Sequence, residues 1–487
     1  MSKEKEIKTP KFYQSIILSL VLIVILLTSV VVLDTDIQLA LFICIIIAAV
    51  FAMFLGYRWN AVEKMMMEGI SSILIAVIIL LTIGTVMATW IASGTIPYII
   101  YIGLKLISPK FFLVSACITC AFMSMATGSS WSSAGTVGIA FMGIGAGLGI
   151  HPAMTAGAIV SGSYFGDKQS PFSDTTNLSA ALAGTTLFEH TSSMLWTTAP
   201  AMVIALIIYG IIGLTGSASG GGSDEILNMY LSNLEANFYL SPLLLLPIVI
   251  LIIVVVKKAP ALPGLIASSI IGGAFAMIFQ KRSFFEVGDF MFNGFSIDTG
   301  VEQINTLLNR GGLYNMLWTV SFYFMACMLG SILDQTGVLR VILEKLARVT
   351  RTVGSLVTST LVSVFSMCVF TGSLESGMLI SAKLFAPAYD KLNLHRKVLS
   401  RSLEDAGTML AALIPWNSNG VFMATTLGVA TLSYARYAFV GLITPIISII
   451  FAFVGIGIFF NQTQKDDSKT IDKAEAVKAK DAAEAEI

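Results

Sequence analysis

Apolar residues in this chain gather in long runs, not in the short alternation of a water-facing element. Such runs occupy residues 12–33, 37–57, 70–91, 192–214, 242–256, 260–279, 317–333 and 353–370, with a last one inside 436–460. A helix rises about 1.5 Å per residue, so about 20 apolar residues cross the hydrocarbon core of a bilayer. The pattern predicts an all-α polytopic membrane protein. Between the runs lie a short helix at 98–107, too short to cross, and a short amphipathic helix at 338–349 carrying Arg340, Lys345 and Arg348.

Several runs are broken by polar residues. Residues 111–126 and 134–150 flank Thr127-Gly128-Ser129-Ser130-Trp131-Ser132-Ser133, and a helix from His151-Pro152 breaks at Gly166-Asp167-Lys168-Gln169-Ser170-Pro171 before resuming near Leu178. Irregular polar backbone at membrane depth is tolerated where protein encloses it or where it lines a watery cavity. The interruption therefore predicts a re-entrant hairpin or broken helix at a substrate or ion site. It also recurs. Thr127-Gly128-Ser129 matches Thr371-Gly372-Ser373, 244 positions on, and a second break falls at Pro415-Trp416-Asn417-Ser418-Asn419-Gly420. Gly184-Thr185-Thr186-Leu187 is aligned with Ala424-Thr425-Thr426-Leu427, 240 positions on, and Asp167 with Glu404-Asp405. Paired interruptions in two halves point to a secondary transporter with its site at the midplane, and predict two inverted repeats.

Composition narrows the class. Of 487 residues 56% are hydrophobic and 12% charged, about half the charge of a soluble domain. Net charge is zero and no basic cluster stands out, which leaves nothing to hold nucleic acid. Lysines before residue 12, with Arg58 and Lys64 in an expected loop at 58–68, put the N-terminus and that loop in the cytoplasm. The expected division is a tail at 1–11, a first membrane half at 12–215, a linker and interfacial segment at 216–240, a second half at 241–461 and a charged tail at 462–487. Residues 281–310 read as extramembrane. Cys44, Cys117, Cys120, Cys327 and Cys368 all fall in apolar runs, where Cys117-x-x-Cys120 reads as a small apolar face.

The candidate site residues follow from the breaks. Broken helices expose carbonyls, which with hydroxyl and amide oxygens suit a hard cation, and N–H groups, which suit a carboxylate. Thr127, Ser129, Ser130, Thr176 and Ser373 offer oxygens. Asp174 is the first candidate for cation binding and proton exchange, with Asn177 and Asn417 completing a sodium site; Asp174 also reads as an N-cap. Asp167 is a proton carrier or the ion-pair partner of Lys168. Glu404 and Asp405 point to different faces of one helix, so one faces the cavity and the other pairs with Arg401 or Lys383. Glu375 at the second tip reads an amine, a proton or sodium. Asn419 offers a neutral oxygen, and Trp416 and Trp131 line a pocket or simply pack. His151, His190 and His395 read as structural. No nucleotide motif and no nucleophile–base set is present, so the chain reads as a transporter, not an enzyme. It needs no cofactor beyond sodium and protons as coupling ions.

These motifs resemble the NhaC sodium/proton antiporter family. The resemblance is carried by Gly166-Asp167-Lys168 with Ser170-Pro171, by Ser173-Asp174-Thr175-Thr176-Asn177, and by Leu403-Glu404-Asp405-Ala406-Gly407-Thr408 with Ile414-Pro415-Trp416-Asn417. It covers all but the tails and implies a fold of two inverted repeats, with re-entrant hairpins, a scaffold domain and a moving transport domain. It further implies a homodimer in a bacterial plasma membrane. The family also includes a malate/lactate exchanger coupled to sodium and protons. Gly-Ser-Ser-Trp stands here for the family's Gly-Thr-Ser-Trp, and the small Ser376-Gly377 after Glu375 leaves room for an organic substrate. Two activities are therefore expected: sodium/proton antiport, or exchange of a small organic ion, a carboxylate or an amine, on the same carboxylates.

Overall fold

The computed structural model describes residues 7–33, 37–216, 224–256, 261–347 and 351–461. Most of the expected Gly/Ser linker, Arg348 and the tail at 462–487 lie outside them. Among the described residues the regular elements are helices, and Leu394 and Phe460 form an isolated antiparallel bridge. Seven of the described helices are long and apolar enough to cross a membrane, or eight if the pair Leu227–Asn237 and Pro242–Ile250, bent by 94°, is one span. The protein is a polytopic membrane protein.

The chain opens with α1 (Phe12–Leu27), which continues as a π-helical turn over Thr28–Val32, and α2 (Ile37–Phe54). The expected loop at 58–68 is instead helix α3 (Trp59–Ser71). Its buried residues Val62, Met65 and Gly69 recur at helical spacing. A Cβ on Gly69 would meet the Cys327 carbonyl oxygen at 2.4 Å, so this face presses onto a neighbouring helix. α4 (Leu74–Ala92) and α5 (Thr95–Leu106) follow.

The first hairpin is α6 (Phe112–Thr127), a tip at Gly128-Ser129, then α7 (Ser130–Ser133), a π turn over Ala134–Gly138 and α8 (Ile139–Gly147). α9 (Pro152–Gln169) lies along α6, where Gly162 and Gly166 act as a Gly-x-x-x-Gly pair. A Cβ at these positions would sit 2.0 Å from the Cys117 carbonyl oxygen and 2.1 Å from that of Ala121. Small residues let backbones approach where lipid supplies no hydrophobic drive. After the break come α10 (Asp174–Ala183), which starts at Asp174 and not near Leu178, and α11 (Leu187–Leu214).

Helices α12 (Asp224–Asn237), α13 (Leu246–Val256), α14 (Ala261–Phe279), α15 (Phe284–Asn293) and α16 (Glu302–Leu308) lead to α17 (Leu313–Gln335), the helix that receives α3, and α18 (Val338–Ala347). The second hairpin is α19 (Val353–Thr371) and α20 (Leu374–Lys391), followed by α21 (Arg396–Ala411), a break, α22 (Ser418–Leu427), α23 (Thr431–Ala435) and α24 (Phe439–Val454).

Several backbone features of the two hairpin units recur at one register. Left-handed backbone recurs at Gly128 and Gly372, at Gly149 and Asn393, and at Gly184 and Gly428, each pair 244 positions apart. His151 and His395, at the same spacing, both cap a helix: each Nδ1 accepts a backbone N–H two residues on, at 3.2 Å. The 240-residue alignment of Gly184 with Ala424 is thus corrected to Gly428. Asp167 stands opposite Ala411, and Glu404 and Asp405 stand opposite Val160 and Ser161. The frame is duplicated; the acids are not.

Helices α9 and α21 pack in opposite directions. Lys168, near the end of α9, meets Asp405 on α21. Ser161, two turns earlier on α9, accepts the Val440 N–H, and Gly441 packs on the Met409 carbonyl. Moving forward along α21 therefore moves backward along α9.

Candidate functional site

Each tip is built from its own Thr-Gly-Ser. Gly128 and Gly372, with φ of 67° and 64°, end the incoming helix in a conformation that costs other residues about 1–2 kcal/mol. Ser129 and Ser373 then cap the outgoing helix, accepting the N–H of Ser132 at 3.2 Å and of Ser376 at 3.3 Å. Thr127 and Thr371 accept the N–H of Ser129 and Ser373 and donate to the same residues' carbonyls. The tip amides are thereby largely spent. Four of the N–H groups expected to suit a substrate carboxylate, those of Ser129, Ser132, Ser373 and Ser376, bond to hydroxyls of the motif itself.

Each tip abuts the break of its own unit. A Cβ on Gly128 would lie 2.7 Å from the Phe172 carbonyl carbon. Ser418 donates its N–H to the Gly372 carbonyl at 3.0 Å. The two tip–break junctions face each other across a cavity of about 570 Å³. Its carboxylates are Asp167, Asp174 and Glu375, and its aromatic walls are Trp131, Phe172 and Tyr323.

Asp167 is the buried acid of this cavity. Its Oδ2 accepts the Ser130 N–H at 3.0 Å and the Ser130 hydroxyl at 2.6 Å, so the end of α9 is fastened to the start of the tip helix. Asp174 is exposed to the cavity as the first residue of α10. The N-cap position belongs to Ser173, and a carboxylate in the first turn complements the positive end of the helix. Asn177 also lines the cavity and closes the break by donating to the carbonyls of Pro171 and Ser173, at 3.1 and 2.8 Å. Glu375 accepts the Ser373 hydroxyl at 2.8 Å on the opposite tip.

Asn419 joins the units. Its Oδ1 accepts the Trp131 indole N–H at 2.9 Å and the Tyr164 hydroxyl at 2.8 Å, both from the first unit. Trp131 stacks on Phe422 at 4.2 Å and meets Tyr323 edge-on at 6.2 Å. Tyr164 and Tyr323 were not legible as site residues; Tyr323 lies on α17, outside either repeat.

Other candidates stand away from the cavity. Asn417 is buried behind it, capping α22 through the Asn419 N–H at 3.0 Å and donating to the Cys368 carbonyl at 3.1 Å. It does not join Asp174 and Asn177 in one coordination set. Trp416 donates to the Val369 carbonyl at 2.7 Å, Thr176 donates to the Lys168 carbonyl at 3.1 Å, and Gly377 packs on Cys368; none of these lines the cavity. Thr127, Ser129, Ser130 and Ser373 do line it.

Glu404 and Asp405 form a separate interior group. Asp405 pairs with Lys168 from the first unit, accepts the Thr197 hydroxyl at 2.9 Å and lies 3.9 Å from Arg401. Arg401 donates to the Gly457 carbonyl at 2.8 Å. Glu404 accepts hydroxyls from Ser179, at 3.0 Å, and from Thr408. His190 bridges Ser179 and Ser400 at 3.2 and 2.8 Å. Sequence placed one of the two acids in the cavity; α21 is instead enclosed by both units, and neither acid reaches it.

Comparison with known proteins agrees with this architecture. The sequence profile of the Na+/H+ antiporter family matches residues 162–456. The Na(+)/H(+) antiporter NhaC of Alkalihalophilus pseudofirmus is 38% identical over 90% of this chain and 94% of its own length. The malate-2H(+)/Na(+)-lactate antiporter of Bacillus subtilis is 36% identical over 94% and 98%. The arginine/ornithine antiporter ArcD of Halobacterium salinarum is 36% identical over 96% and 97%. With the profile matching more than half of its residues and these relatives aligning over nearly its whole length, the chain belongs to the Na+/H+ antiporter family.

Proposed function

We propose that this protein is a sodium/proton antiporter in which the two ions compete for the carboxylates Asp167 and Asp174. The observation that carries this is Asp167: a buried acid on the cavity wall, held by Ser130 at the point where tip and break meet. Burial favours the neutral carboxyl, while a sodium ion favours the carboxylate. A site that is either protonated or sodium-bound, and crosses in either state, couples the two fluxes without a nucleotide. Cavity hydroxyls and the Asn177 amide supply further oxygens for the cation.

The hairpin units act as inverted repeats whose tips meet at the membrane midplane; the opposite run of α9 and α21 supports this. They move as a transport domain against a scaffold, in a homodimer in a bacterial plasma membrane with the N-terminus cytoplasmic. The buried Glu404 and Asp405 group stabilises the moving unit instead of taking sodium. Exchange of malate for lactate finds less support, because the charged residues lining the cavity are all carboxylates.

The test is proton flux driven by sodium in proteoliposomes loaded with a pH-sensitive dye. Asp167→Asn and Asp174→Asn each abolish it while the purified protein keeps its elution profile and helical content. Wild-type flux from both variants removes these acids from coupling.

A further inference from the structure

We propose that the same cavity admits a small organic cation, its ammonium or guanidinium group held among Asp167, Asp174 and Glu375 against Trp131 and Tyr323. This rests on reading the cavity as the transport site. Three observations carry it. The first is size: about 570 Å³ lies within the range of about 300–1,000 Å³ that pockets for small organic ligands span.

The second is charge. Three carboxylates line the cavity, and none of its described lining residues is Lys, Arg or His. Lys168, next to Asp167 in sequence, is turned into the interior group around Asp405. An anionic substrate would face uncompensated repulsion, with the tip amides already occupied. A cation relieves the repulsion among the acids.

The third is the wall. Trp131 stacks on Phe422, meets Tyr323 at a steep angle, and lines the cavity with Ile73, Ile79 and Leu374. Aromatic rings attract organic cations, and the apolar residues suit an alkyl chain. Glu375 stands on the second tip while Asp167 and Asp174 belong to the first unit, so both units contribute a carboxylate to the one cavity.

Two measurements test the proposal and separate it from the exchange reading. In equilibrium dialysis of the purified protein, radiolabelled choline and agmatine, which carry fixed positive charge at neutral pH, are offered beside radiolabelled malate. At least one of the two cations binds saturably, sodium displaces it, and Glu375→Gln or Trp131→Leu weakens binding about tenfold. Malate does not bind. In proteoliposomes the bound cation raises the sodium concentration needed for half-maximal proton flux. Glu375 is exposed to the cavity, so the Gln variant tests binding apart from folding. Sodium-driven flux without saturable binding of either cation overturns this proposal and leaves the exchange reading intact. Cation binding without sodium-driven flux does the reverse. Malate binding in place of the cations also overturns it.

Discussion

Lys168 of the first hairpin unit and Asp405 of the second form an ion pair with both side chains fully buried. Arg401 stands 3.9 Å from the other Asp405 oxygen. The two substitutions that break this pair are therefore unequal. Lys168→Met leaves Asp405 beside Arg401, whereas Asp405→Asn takes from two buried cations the carboxylate they share. Removing one partner of a buried pair costs about 3–5 kcal/mol. Asp405→Asn is expected at that level and Lys168→Met clearly below it, read as thermal unfolding of the purified protein. Equal losses would contradict the three-residue arrangement.

The two tip glycines share a conformation but not their surroundings. A Cβ on Gly128 would strike the Phe172 backbone at 2.7 Å, while one on Gly372 would meet the Ala326 Cβ at 3.1 Å. Gly128→Ala is expected to lower folded yield and unfolding temperature more than Gly372→Ala. Both should lose at least the roughly 1–2 kcal/mol of left-handed backbone.

His151 and His395 cap equivalent helices through the same Nδ1 contact. Each change to Ala should cost about 0.5–2 kcal/mol, and Asn should restore most of it. The two sites share no partner, so the losses should add to within about 0.5 kcal/mol in thermal unfolding.

Asn419 accepts hydrogen bonds from Trp131 and Tyr164 at once. Asn419→Leu leaves two donors unmet, at about 1–3 kcal/mol each if they stay buried. Altered tryptophan emission and loss of sodium-driven flux together are expected; unchanged emission would mean that Trp131 is not held this way.

Much of this was legible in the sequence. The Thr-Gly-Ser tips, the breaks and most spans follow from apolar runs and turn chemistry, which are local properties. The same locality misled where motifs carried no register: Gly184 was aligned four residues short of Gly428, because similar Thr-Thr-Leu strings outweighed the helix-ending glycine. The helix α3 was missed although Val62, Met65 and Gly69 recur at helical spacing, since its charges suggested a loop. The Lys168–Asp405 pair and the Tyr164–Asn419 contact join positions more than 230 residues apart and leave no trace in local pattern. Hydroxyl-rich motifs gave candidates in excess, because a Thr or Ser that caps a tip reads in sequence just like one that holds an ion.

Competition between sodium and a proton for one site is the central claim, and the pH dependence of sodium activation tests it most directly. Proton flux should be measured in proteoliposomes over a range of sodium concentrations at several pH values. If one carboxylate binds either ion, lowering the pH raises the half-saturating sodium concentration, by up to about tenfold per unit for one competing proton, while saturating sodium restores the maximal rate. A half-saturating concentration that stays constant as pH falls, with only the maximal rate changing, would contradict the account.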